Sequence, residues 1–137
     1  MAIQARLRWT QGLQFVGQAG DGPAVVLESG DGRGGPSPME LILIGVAGCT
    51  AMDVISILQK KRAAVTGFEV HITGERAEEH PRRYTDIHIE YVLHGRDIRP
   101  SAVERSIELS ETKYCSAMAS LNAKISHSYR IVEEATP

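Results

Sequence analysis

Ser37-Pro38-Met39-Glu40-Leu41-Ile42-Leu43-Ile44-Gly45-Val46-Ala47-Gly48-Cys49-Thr50-Ala51-Met52-Asp53-Val54 is the stretch on which the fold turns. It opens as a helix start. Ser37 stands at the N-cap, Pro38 at the first helical position, where a missing N–H is harmless, and Glu40 at the third, completing a capping box. Beyond Glu40 the chain is apolar on nearly every side as far as Leu58. A central helix is expected over 38–62, with Lys60-Lys61-Arg62 complementing the negative end of its dipole. A helix hydrophobic all round is expected to be buried all round. Gly45, Ala47, Gly48 and Ala51 leave little side chain along its middle; since an interior glycine costs roughly 1 kcal/mol against alanine, close approach of other backbone there is expected to compensate. The run approaches the length of a membrane span, but Asp53 stands inside it with Thr50 and Ser56. A charge at that depth is costly in lipid, so the reading is a core helix of a soluble protein.

Outward from the helix the pattern changes to period two. Ile3, Ala5, Leu7 and Trp9 alternate with Gln4, Arg6, Arg8 and Thr10 as in a half-buried strand. Turn signals at Gln11-Gly12 and Asp21-Gly22-Pro23 separate two more strands, so 1–28 reads as a three-stranded antiparallel meander. On the other side, 65–94 reads as a hairpin: Phe68, Val70 and Ile72 on one face of its first strand, Ile87, Ile89, Tyr91 and Leu93 on one face of its second. Residues 101–123 read as two helices, the first with Ser101 and Glu104 as a second capping box, the second beginning at Cys115. A final strand covers 125–132. The order β3-α-β2-α2-β is an α+β fold with sheet around a long buried helix. With 137 residues, one domain over 1–137 is expected, because two separate cores would each be marginal.

Composition narrows the function. Fifteen basic and seventeen acidic residues give a formal charge of -2, which offers no basic footprint for nucleic acid. The glycine-rich loop 30–38 lacks the Lys-Ser/Thr of a P-loop and the strand–loop–helix spacing of a dinucleotide site. None of His71, His80, His88, His94 and His127 has another His, Cys or acidic ligand at metal-site spacing on its own element, so neither metal nor other cofactor is expected. No serine has a nucleophile-elbow context. The N-terminus carries no secretory pattern, so no membrane partner and a cytoplasmic location are expected.

The two cysteines, Cys49 and Cys115, are what is left. In a reducing compartment such a pair is either inert core or a redox couple. Taken alone, Cys49 lies in an apolar helix where burial would deaden it, whereas Cys115 follows Lys113 at a helix start, where a cation and free N–H groups favour a thiolate. Asp53 is one turn beyond Cys49 on the same face. A carboxylate so placed needs a partner: an arginine serving both Asp53 and the Cys49 thiolate, or one forming only a structural salt bridge.

Gly35-Pro36-Ser37-Pro38-Met39-Glu40-Leu41, Gly45 through Gly48-Cys49-Thr50, Asp53-Val54 and Glu111-Thr112-Lys113-Tyr114-Cys115-Ser116 together resemble the OsmC/Ohr superfamily, the osmotically inducible and organic hydroperoxide resistance proteins, along essentially the whole chain. The resemblance implies an intertwined homodimer and a thiol peroxidase of organic hydroperoxides. Cys49 would be the peroxidatic residue, Cys115 the resolving one, and an external dithiol the reductant. Peroxidases of the family carry a Pro-Glu pair before the helix and an arginine in the first hairpin. Here Met39 follows Pro38, Glu40 lies about 180° around a regular helix from Cys49, and Gln11-Gly12-Leu13-Gln14 has no arginine. In this the chain is closer to the YhfA-like branch, which keeps both cysteines without the activating pair. The alternative is a protein of the same fold that binds a small apolar or thiol-reactive ligand instead.

Overall fold

The computed structural model describes residues 1–135; the last two residues of the single domain expected over 1–137 lie outside the described residues. The chain divides into two compact units, Met1–Ile42 and Leu43–Pro137. The element order is the one read from the sequence, an α+β arrangement with two three-stranded sheets and one long helix.

In the first unit, β1 (Ala5–Gln11), β2 (Gln14–Ala19) and β3 (Ala24–Glu28) form an antiparallel sheet in the order β1-β2-β3. The β1–β2 turn needs Gly12, whose φ of +49° is left-handed backbone, and Trp9 Nε1 donates to its carbonyl at 2.9 Å. At Gly35 a side chain would meet the Val26 carbonyl oxygen 2.1 Å from its Cβ. The expected half-burial of β1 is not found: all seven residues are exposed, Trp9 by 63%. Alternation identified the strand correctly, but a three-stranded sheet this small supplies nothing in its own unit to cover that face.

The long helix α1 runs Pro38–Lys60. Its capping box forms as the sequence requires. Ser37 N–H donates to Glu40 Oε1 at 2.9 Å, and Glu40 N–H donates to Ser37 Oγ at 3.2 Å. The first of these bonds chiefly holds the Glu40 carboxyl below its usual range. Ser37→Ala is expected to destabilise the fold by about 1 kcal/mol, read as a shifted denaturation midpoint with unchanged slope. No shift would mean that the cap is redundant.

Burial of α1 differs from the expectation. Only Val46, Thr50, Val54 and Leu58, one residue every four, are buried; Ile44 and Met52 are exposed, Met52 by 71%. Nothing lies within 4 Å of where a Cβ on Gly45 or Gly48 would stand. An all-round apolar sequence specifies that the helix be covered, but one chain covers one stripe.

In the second unit, β4 (Ala64–Arg76) and β5 (Tyr84–Arg96) form the expected hairpin, and β6 (Lys124–Glu133) pairs with β5 in parallel, in the order β4-β5-β6. A parallel return needs a crossover, supplied here by α2 (Pro100–Leu109), a π-helical turn (Ser110–Tyr114) and α3 (Ser116–Ala119). As the central strand, β5 buries Ile87, Ile89, Tyr91, Val92 and Leu93. The second capping box does not form. Arg99 is the N-cap of α2 with no side-chain cap, and Glu104 instead accepts a hydrogen bond from Tyr129 Oη on β6. Starting the helix at Pro100 puts Ser101 inside its first turn, where its hydroxyl no longer reaches the orphan N–H groups.

Candidate active site

The buried face of α1 carries a polar residue, Thr50, at its centre, fully buried among Val46, Val54 and Leu58. A hydroxyl there must be satisfied within the protein. It lies 2.8 Å from Tyr91 Oη and 2.7 Å from Ser110 Oγ, and Ser110 Oγ donates to Asp53 Oδ2 at 2.9 Å. The direction of the chain follows from its end. A carboxylate only accepts, so Ser110 spends its proton on Asp53, Thr50 donates to Ser110, and Tyr91 donates to Thr50. Burial pushes the Tyr91 phenol well above its ordinary range, with the nearby acids Glu111, Cys115 and Asp53 acting in the same sense, which suits a permanent donor. Asp53 is thus oriented by three hydroxyls rather than by the arginine expected from the sequence; it has no ion pair among the described residues.

The π-helical turn sets the geometry. Residues five apart on an α-helix stand about 140° around the axis. Here Cys115 N–H closes on Ser110 C=O at 2.7 Å, a five-residue step, and both side chains point to α1. Sequence periodicity gives no sign of this turn, although such bulges are common at functional sites. The result is that Cys49 Sγ, Cys115 Sγ and a carboxylate oxygen of Asp53 all lie within 4.8 Å of one another. The two cysteines are both free thiols, 66 positions apart in the chain.

Their environments reverse the order read from composition. Cys115, placed as the N-cap of α3, is only 5% exposed, and burial pushes its thiol up to about 11, although the Met118 N–H, 3.5 Å from its sulfur, pulls the other way. The cation expected to favour its thiolate is turned elsewhere: Lys113 Nζ sits 5.2 Å from the Tyr114 ring centroid. Cys49 is half-buried rather than enclosed. A cleft of about 330 Å³, lined by Glu111, Met118 and Ile125 among others, reaches Cys115.

The site's rim is polar. His127 Nδ1 is 3.0 Å from Glu111 Oε2, and its ring meets Tyr91 edge-on at 6.3 Å. Glu111 Oε1, equally near His127 but poorly aligned, is buried without a hydrogen bond. On the opposite, exposed face of the sheet and away from the site, His88 bridges Ser126 and Ser128, and His71 pairs with Glu69. Sequence reasoning missed Ser110, Tyr91 and Glu111, whose roles depend on contacts across elements; Thr50 was visible only as a polar residue in an apolar run.

Comparison with known proteins agrees with this architecture. The family model described as OsmC-like protein matches residues 30–130. Protein YhfA of Escherichia coli (strain K12) is 43% identical over 132 residues, 95% of this chain and 98% of its own. Among solved structures, a hypothetical protein from Aquifex aeolicus VF5 superposes with a TM-score of 0.81 at 31% identity, covering 96% of this chain and 98% of that one. The organic hydroperoxide resistance protein OhrB of Bacillus subtilis shares the fold at 13% identity, with a TM-score of 0.62 over 95% of this chain and 98% of its own.

Proposed function

The chain belongs to the OsmC-like protein family, and from that premise we propose that it is a thiol peroxidase reducing organic hydroperoxides through Cys49 and Cys115. The observation that carries the reading is the convergence of the two sulfurs, within 4.8 Å, from residues 66 positions apart. The half-buried Cys49 is the nucleophile. Its thiolate sulfur takes an oxygen from the peroxide: an S–O bond forms, the O–O bond breaks, and the alkoxide leaves with a proton as the alcohol. The buried Cys115 then attacks the sulfenic sulfur, forming the disulfide and releasing water. Asp53, close to both sulfurs, is placed to carry the Cys115 proton to the departing hydroxide. An external dithiol resets the pair by exchange.

A second copy of the chain is the proposed partner, because the exposed Ile44 and Met52 and the bare Gly45 and Gly48 leave an apolar helix face uncovered. A cytoplasmic location, a single functional domain and a peroxide with an apolar alkyl group complete the proposal. The second reading, a protein that binds an apolar or thiol-reactive ligand without turnover, is favoured by one observation: Met39 stands where peroxidases of the family carry glutamate.

The discriminating experiment is a single turnover with cumene hydroperoxide followed by mass spectrometry. One Cys49–Cys115 disulfide per chain and one equivalent of alcohol are expected. Two thiols that remain fully alkylatable would overturn the peroxidase reading.

A further inference from the structure

Cys49 and Asp53 project from one face of α1, one turn apart, and Cys115 meets them from the end of the π-helical turn. We propose that these three side chains also form a binding site for one thiophilic divalent cation of the zinc type, with its fourth position open. The proposal goes beyond the peroxidase chemistry and does not depend on it.

Ligand type comes first. Two thiolates and a carboxylate form a donor set that suits a d¹⁰ cation in tetrahedral geometry, and three protein ligands with a free position is the arrangement of an open site. Spacing comes next. At Zn–S of about 2.3 Å and Zn–O of about 2.0 Å, tetrahedral ligand atoms stand roughly 3.5–3.8 Å apart. The three atoms here lie within 4.8 Å of one another, so a bound cation would draw them together by at most roughly 1.0–1.3 Å, within the reach of small side-chain rotations.

The surroundings support ligation. Ligating carboxylates are held by outer hydrogen bonds, and Ser110 holds Asp53 by Oδ2, itself fixed by the buried Thr50 and Tyr91 hydroxyls. Oδ1 makes no hydrogen bond among the described residues and is left to ligate. The Met118 N–H approaches the Cys115 sulfur at 3.5 Å, a contact that stabilises sulfur carrying negative charge. Asp53 has no Lys or Arg partner among the described residues, so a cation there would neutralise charge that no side chain matches. Binding releases one proton from each thiol to solvent, leaving a site of net charge about -1. Entry is through the half-buried side of Cys49 and Asp53. A cation so held would occupy both sulfurs and block their oxidation. Reading the sequence for histidine-based spacing could not find this site, because its third ligand is 62 residues beyond Asp53.

The test is a titration of the fully reduced full chain with Co²⁺, without peroxide. One cobalt per chain is expected, with a thiolate-to-cobalt charge-transfer band that Zn²⁺ bleaches. Cys49→Ser and Cys115→Ser should each remove about half of that band, and the double variant all of it. Asp53→Asn should weaken binding by at least about 10-fold. Alkylating the folded wild-type thiols should abolish the band, an arm that holds even if a variant fails to fold. Absence of the band in reduced wild type, cobalt bound equally by the alkylated protein, or unchanged affinity in Asp53→Asn would overturn the proposal. Neither arm uses a peroxide, so a failed peroxidase assay leaves the result unaffected.

Discussion

Replacing Cys49 by serine is expected to abolish consumption of cumene hydroperoxide, by about 10³-fold or more. The physical reason is that a serine hydroxyl stays protonated near neutral pH and is a far weaker nucleophile toward peroxide oxygen than a thiolate. Cys115→Ser should behave differently. It keeps the first step and stops at a sulfenic acid that a dimedone adduct traps on Cys49. The two variants therefore separate nucleophile from resolver: one loses the burst of alcohol, the other keeps a burst of one equivalent and loses the disulfide. A Cys49→Ser protein that reduced peroxide at the wild-type rate would move the nucleophile elsewhere. If Cys115 carried the adduct in the wild type, the two roles would be exchanged, against the greater burial of Cys115.

The second large effect is on stability. Thr50→Val preserves shape, so it opens no cavity, but it removes the middle hydroxyl of the Tyr91–Thr50–Ser110–Asp53 chain. Tyr91 then has a buried O–H with no acceptor, and Ser110 loses its donor. At roughly 1–3 kcal/mol for each stranded buried group, a loss of about 2–4 kcal/mol is expected. For a chain of this size that lowers Tm by about 10 °C. Tyr91→Phe in the same background removes the stranded phenol as well. The double variant should be less destabilised than the sum of the two single ones by about 1 kcal/mol or more, the signature of coupled partners. A Thr50→Val protein melting within about 2 °C of wild type would show that the chain of hydroxyls does not contribute to holding Asp53.

Much of the fold was legible because it is local. Ser37, Pro38 and Glu40 announce the helix through groups three residues apart, and the structure forms both reciprocal bonds. Period-two alternation marked β4 and β5, whose residues 65–76 and 84–94 do face alternately inward and outward over most of their length. The same logic failed at Ser101–Glu104, where a proline moved the helix N-cap from Ser101 back to Arg99 and tertiary contact with Tyr129 claimed the glutamate. It also overstated burial in β1 and α1. Apolar patterning says that a face is to be covered but not by what.

The site divides along the same line. The residues that bear chemistry, Cys49, Asp53 and Cys115, stood out in the sequence as an aspartate one turn from a cysteine in an apolar helix and a second cysteine near a helix start. What each experiences was decided only in three dimensions. Tertiary contacts bury Cys115 and raise its thiol, give Asp53 a serine in place of an arginine, and use a five-residue helical step to turn Ser110 and Cys115 to the same side. Short-range hydrogen bonds and hydrophobic period are properties of neighbouring residues, so the chain alone determines the elements and their order. Sulfur-to-sulfur distance, desolvation and the direction of a buried hydroxyl relay are properties of residues about 40 to 66 positions apart, and only the packed structure fixes them.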